Sequence, residues 1–128
     1  MARRVSIYVE GFGHKNPIPA ACRIGDLVYS GSIQGTDSAT GRYGDTLEQQ
    51  CRLMFDNLRR IVEAAGGSTA DVIRVTVWMR DRTQRAALNG PWLEMFPDAG
   101  SRPARHTMNG ALDGDKLVEC DFVAVLDR

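Results

Sequence analysis

The spacing of apolar positions changes several times along the chain, and each change predicts an element. Val5-Ser6-Ile7-Tyr8-Val9 alternates with period two and predicts a strand. Gly11 to Pro19 carries Gly11, Gly13, Asn16, Pro17 and Pro19, the residues of a loop. Asp26 to Ser30 predicts another short strand, ended by Gly31, and Thr36 to Gly44 is a turn-rich connection. From Asp45 the period lengthens. Leu47, Cys51, Met54, Phe55, Leu58, Ile61 and Val62 recur at three and four and predict a helix to Ala65. Thr46 with Gln49, or Asp45 with Glu48, supplies its cap, and Gly66-Gly67 its stop.

Val72 to Met79 returns to β-branched alternation, with Ile73, Val75, Val77 and Met79 expected on one face. Arg82 to Phe96 reads as a helix that Pro91 kinks or breaks, because proline lacks the backbone donor. Ala104–Ala111 and Lys116–Leu126 predict two strands around Asp113-Gly114, a hairpin signal. In the second of these, Val118, Cys120, Phe122, Ala124 and Leu126 form an apolar face. The other face mixes Glu119 and Asp121 with Leu117, Val123 and Val125, a surface suited to a partner. The element order is that of an α+β domain spanning residues 1–128.

Composition narrows the function. Sixteen Lys and Arg balance sixteen Asp and Glu, so a DNA-binding or anionic-membrane role has no support and RNA is disfavoured. No apolar run reaches the length of a bilayer span, and the basic start lacks an apolar signal core, so a cytoplasmic protein is expected. Cys22, Cys51 and Cys120 are widely spaced, with no CxxC. His14 and His106 stand far apart, so no metal site is expected, and no glycine-rich nucleotide loop is present. Cys51 and Cys120 lie on apolar stripes and read as inert core thiols. The segment with the most chemistry is Ser101-Arg102-Pro103-Ala104-Arg105-His106-Thr107. A guanidinium at a strand start beside a proline suits a carboxylate or phosphate. Alternation puts Arg105 and Thr107 on one face and His106 on the other, and Glu119 across the expected hairpin would share the face of Arg105.

These segments together resemble the RidA (YjgF, reactive intermediate deaminase; L-PSP endoribonuclease-like) superfamily. The resemblance runs from about Pro19 to Leu126. It rests on Asp26-Leu27-Val28-Tyr29-Ser30-Gly31, Asn57-Leu58, Ala64-Ala65-Gly66-Gly67, Asp71 to Asp81, Leu88-Asn89, Arg102-Pro103-Ala104-Arg105 and Val118 to Val125. It implies a chorismate-mutase-like fold, a mixed sheet with two helices on one face, and a homotrimer whose sheets form a central barrel with sites between subunits. It also implies a second helix running on through Pro91, kinked and not broken.

For chemistry it implies cofactor-free hydrolysis of an enamine or imine bearing a carboxylate, such as 2-iminopropionate or an aminomuconate, to a 2-oxo acid and ammonia. Arg105 would bind the carboxylate and Glu119 would orient water. Ser30, Gly31, Asn89 and Thr107 would line the cleft. Two other functions fit the same family: ribonuclease activity with translation inhibition, in which Arg102, Arg105 and His106 could make a small phosphate site, and a trimer that binds a carboxylate metabolite without turnover. The N-terminal loop tyrosine of many relatives is replaced here by Asn16-Pro17-Ile18-Pro19-Ala20. The neighbouring Gly11-Phe12-Gly13-His14 is a candidate replacement wall, with His14 a candidate proton donor.

Overall fold

Residues 3–12 and 15–127 are described by a computed structural model. Its strands are β1 (Arg4–Ile7), β2 (Ala21–Ile24), β3 (Leu27–Ser30), β4 (Ile33–Gln34), β5 (Val72–Met79), β6 (Ala104–Asn109) and β7 (Val118–Val125), and its helices α1 (Leu47–Ala64) and α2 (Asn89–Met95). One mixed sheet runs β1-β2-β3-β7-β5-β6, with β4 also on β7. Only β5 and β6 are parallel. The fold is thus α+β, two helices and one mixed sheet.

Helix α1 forms for the reasons its sequence suggests. The Thr46 hydroxyl accepts the Gln49 amide (3.2 Å), while Gln49 Oε1 accepts the Asp45 amide (2.8 Å), so the reciprocal cap is displaced one residue outward. At the other end Gly66 takes φ +98°. Its amide donates to Glu63 and that of Gly67 to Val62, which satisfies carbonyls the last turn would leave open. Cys51, Met54, Phe55, Leu58, Ile61 and Val62 are buried against Val28, Val75, Val77, Cys120, Phe122 and Ala124 of the sheet. Each large member of that stripe contributes about 1.5–3 kcal/mol by leaving water.

Several expectations are corrected. The strands around Asp113-Gly114 do not pair as a hairpin, because β5 lies between them. The turn itself exists, with Gly114 at φ +58° and the Lys116 amide on the Asp113 carbonyl. The route is set instead by the crossover through α2, which returns β6 parallel to β5. Arg80 then binds the Leu112 and Gly114 carbonyls, and buried Gln50 binds Asp115 and Leu117, pinning residues 110–117 over the end of β5.

In β5 a bulge between Val72 and Arg74 turns Val72 into the core and leaves Ile73 half exposed, against the expected alternation. The segment after β5 is a 3₁₀ turn over Arg82–Leu88 that passes into α2, with Gln84 off helical values. The departure from helical values falls at Gln84 and not at Pro91, which is the third residue of α2. Finally, β1 ends at Ile7 instead of Val9, and periodicity alone does not single out β2 or β4.

Candidate functional site

Arg105 lies on the outer strand β6, opposite Val75 of β5, and so faces the helices. Its guanidinium carbon stands 4.9 Å over the Trp92 ring, and Nη2 donates to Asn89 Oδ1 (3.1 Å). Asn89 and Trp92 both come from α2, so the helix holds the guanidinium from one side. The ring contact is worth about 1–2 kcal/mol where the cation is shielded from water. Nη1 is buried and has no hydrogen-bond partner. Burial, then the nearby Arg85 cation, lowers the pKa of Arg105, with Cys51 acting the other way. The group stays charged. A buried guanidinium nitrogen with an open donor is a group built to receive an anion.

Thr107 is two residues along β6 on the same face, and it lines a cavity of about 340 Å³ with Arg82, Arg85 and Arg105. Arg105, Asn89 and Thr107 therefore come together. Arg82 and Arg85 do not stand out from the sequence, because no motif there ties their segment to the strand that carries Arg105. Their i, i+3 spacing places them on one side of a three-residue turn, and that spacing was the available signal.

Glu119 does not join this group within the chain. It is paired with Trp78, whereas Arg105 and Phe122 are both paired with Val75, so Glu119 points to the opposite face. Two strand spacings also separate β7 from β6, roughly 10 Å. The expectation that Glu119 shares the face of Arg105 fails because it assumed a direct hairpin. His106 shares the Glu119 face, opposite Thr76 and Asp121. Arg102 is spent on the Phe96 and Pro97 carbonyls at 2.8 and 3.2 Å. The phosphate trio of Arg102, Arg105 and His106 is thus dispersed.

Glu119 accepts from Gln34 Nε2 at 3.4 Å. The carbonyls of Gln34 and Thr36 are held by the amide of buried Asn57. Gln34 also lines a second cavity, about 410 Å³, with Phe12, Ile18, Gly31, Tyr43 and Ile61. Phe12 of the N-terminal loop thus forms part of the wall beside Gly31, and His14 lies outside the described residues. Gln34 and Tyr43 carry no motif that singles them out in the sequence. Ser30 serves the sheet itself, since its hydroxyl accepts the Phe122 amide and donates to the Gly31 carbonyl, both at 2.8 Å. It fills the gap on β7 between its partners β3 and β4. Two separate groups result, one around Arg105 and one around Gly31, Gln34 and Glu119.

The thiols read as core are core. Burial pushes Cys51 up to about 12 and Cys120 well above its ordinary value. Among the described residues no group of three or more His, Cys, Asp or Glu could hold a metal ion, and no helix is long and apolar enough to cross a membrane.

The family model described as endoribonuclease L-PSP matches residues 12–126. The chain belongs to this family. It is the family of the RidA and YjgF proteins. A RutC family protein of Pyrococcus horikoshii is 33% identical over 111 residues, which cover 84% of this chain and 86% of the relative. A probable translation initiation inhibitor from Rhodopseudomonas palustris superposes with TM-score 0.88 at 31% identity, covering 96% of this chain and 98% of that one. The E. coli protein TdcF, solved with bound serine, superposes with TM-score 0.87 at 26% identity, covering 96% and 99%. The L-PSP match extends through both groups, from Phe12 to the end of β7.

Proposed function

We propose that this L-PSP family chain is a cofactor-independent deaminase of imines or enamines that carry a carboxylate, working as a homotrimer with its sites between subunits. One observation carries the reading. Arg105 is oriented by Asn89 and Trp92, keeps a buried donor open at Nη1, and has no carboxylate partner among the described residues. The bound serine of TdcF, a small molecule with a carboxylate, is in keeping with that use.

The opposite placement of Glu119 supports a shared site, since one subunit would offer Arg105, Asn89 and Thr107, and its neighbour Glu119 and the Gly31 wall. Arg105 fixes the substrate carboxylate and so the direction of approach. Glu119 takes a proton from water as the oxygen adds to the C=N carbon. The resulting carbinolamine loses its C–N bond as nitrogen takes up a proton, which leaves a 2-oxo acid and ammonia. The substrate is an imine such as 2-iminopropionate or a ring-cleavage product such as an aminomuconate.

The test generates imines with an amino-acid oxidase and traps the survivors with semicarbazide. Wild type should deplete the trapped imine, and Arg105→Ala and Glu119→Gln should each lose about 100-fold or more of that rate. If wild type equals buffer for every imine, the deaminase reading falls and carboxylate binding without turnover replaces it. Mixed trimers of Arg105→Ala and Glu119→Gln chains test the shared site. At each interface the two intact halves meet by chance, so about a quarter of wild-type activity should return. No recovery would place both groups in one subunit.

A further inference from the structure

Three cations line the cavity beside β6, and a single substrate carboxylate engages only one of them. Arg82 and Arg85 flank Arg105 across about 340 Å³, with Thr107 completing the lining. Their placement is built in. The Arg82 amide is held by Asn109 Oδ1 at 2.8 Å, which ties the start of the 3₁₀ turn to the end of β6. Arg85 Nη1 donates to the Arg82 carbonyl at 3.3 Å. Asp81 caps the turn through the Thr83 amide and hydroxyl. No carboxylate among the described residues lies within ion-pair distance of Arg82, Arg85 or Arg105; the ion pairs of the described chain belong to Arg52, Arg59 and Arg60.

Three like charges around one cavity repel one another. An anion reaching from the buried Nη1 of Arg105 toward the 3₁₀ turn relieves that repulsion. The volume suits a small metabolite. An extended nucleic-acid track has no counterpart in a chain of zero net charge.

From this we infer that the pocket selects a dianionic substrate, an imino dicarboxylate whose reacting-end carboxylate sits on Arg105 and whose distal carboxylate is held by Arg82 and Arg85. The inference rests on the deaminase reading for its reacting group, but the selectivity of the pocket can be measured without turnover.

The experiment compares substrates of equal chain length: 2-iminoglutarate made from glutamate against 2-iminopentanoate made from norvaline. Calorimetry in parallel compares the stable products, 2-oxoglutarate and 2-oxopentanoate. Wild type should prefer the diacid by about tenfold or more in kcat/KM and in Kd, since the distal carboxylate gains charge-assisted hydrogen bonds from two guanidiniums. In the Arg82→Ala/Arg85→Ala variant the diacid-to-monoacid ratio should fall to near one. The Arg82→Lys/Arg85→Lys variant keeps the charges and should retain most of the preference.

Equal use and equal binding of diacid and monoacid by wild type would overturn the inference, as would a preference that survives the double alanine variant. It would also be overturned if a 5′-phosphorylated RNA oligonucleotide displaced 2-oxoglutarate with steep salt dependence, which would assign the arginines to phosphates. If no imine is turned over but the oxo-diacid preference appears and depends on Arg82 and Arg85, the deaminase reading falls and the diacid pocket stands.

Discussion

At the scale of single residues, Arg105 shows how much chemistry depends on what surrounds a side chain. Its charge is ordinary, but its setting is specific, with a ring below, an amide oxygen at one nitrogen and an open donor at another. Lysine cannot reproduce a planar fork stacked on an indole, so Arg105→Lys should bind a carboxylate at least about tenfold more weakly than wild type, as read by titration calorimetry with 2-oxo acids. The thiols give a second prediction. Cys51 is held at about 12 by burial, against an ordinary value of 9.0. A group raised in the folded state stabilises it below the unfolded value and loses that contribution as pH climbs toward the folded one. Urea stability should therefore decline from about pH 9 toward 12, and less steeply in Cys51→Ala. From sequence, Arg105 was legible through the motif around it, and the core thiols through their stripes. Arg82 and Arg85 were not, because their meaning depends on β6 lying alongside their turn.

Elements follow a similar division. Local rules were enough for α1, whose cap, stripe and glycine stop are all short-range, and for the bounds of β5. They failed where pairing is decided far away in the chain. Asp113-Gly114 does turn, but the strands it joins lie on either side of β5. A turn signal reports the bend and says nothing of what fills the space between its arms. Ile73 was misplaced for a related reason, since a bulge shifts the register between strands without altering the alternation written in one of them.

The clips that set these long connections are buried polar side chains, and they should be costly to remove. Gln50 joins the Gly44 and Asp115 carbonyls to the Leu117 amide. Gln50→Ala leaves those groups unpaired and should cost about 2–4 kcal/mol in chemical denaturation. A Cβ on Gly35 would clash with the Gln50 backbone carbonyl. Gly35→Ala should therefore also destabilise, by about 1–3 kcal/mol, as backbone is forced apart.

On the scale of the molecule, the sheet has one face under the helices and one open. Across the open face Leu27 lies opposite Val125 and Tyr29 opposite Val123, with Leu27, Tyr29 and Val125 each 44–56% exposed. Apolar residues set side by side in that way match the surface that the proposed trimer would bury. Leu27→Glu should therefore shift sedimentation from trimer toward monomer, and should lower activity in step with the trimer fraction. The mixed face of β7 was visible in the sequence as acids among branched aliphatics. What covers it was not, because a contact between chains is not written in the alternation of one strand.

One strand links most of this architecture. β7 pairs with β3, β4 and β5, so among the described residues the two halves of the sheet meet only through it. It also follows every other strand in chain order. During synthesis, then, α1 emerges long before the strand that completes the surface it covers, and its apolar stripe stays only partly covered until that strand follows β5, α2 and β6. The growing chain's burden on chaperones should be set by the interval between the appearance of α1 and that of β7, and a ribosome stalled between them would present a sticky, unfinished sheet.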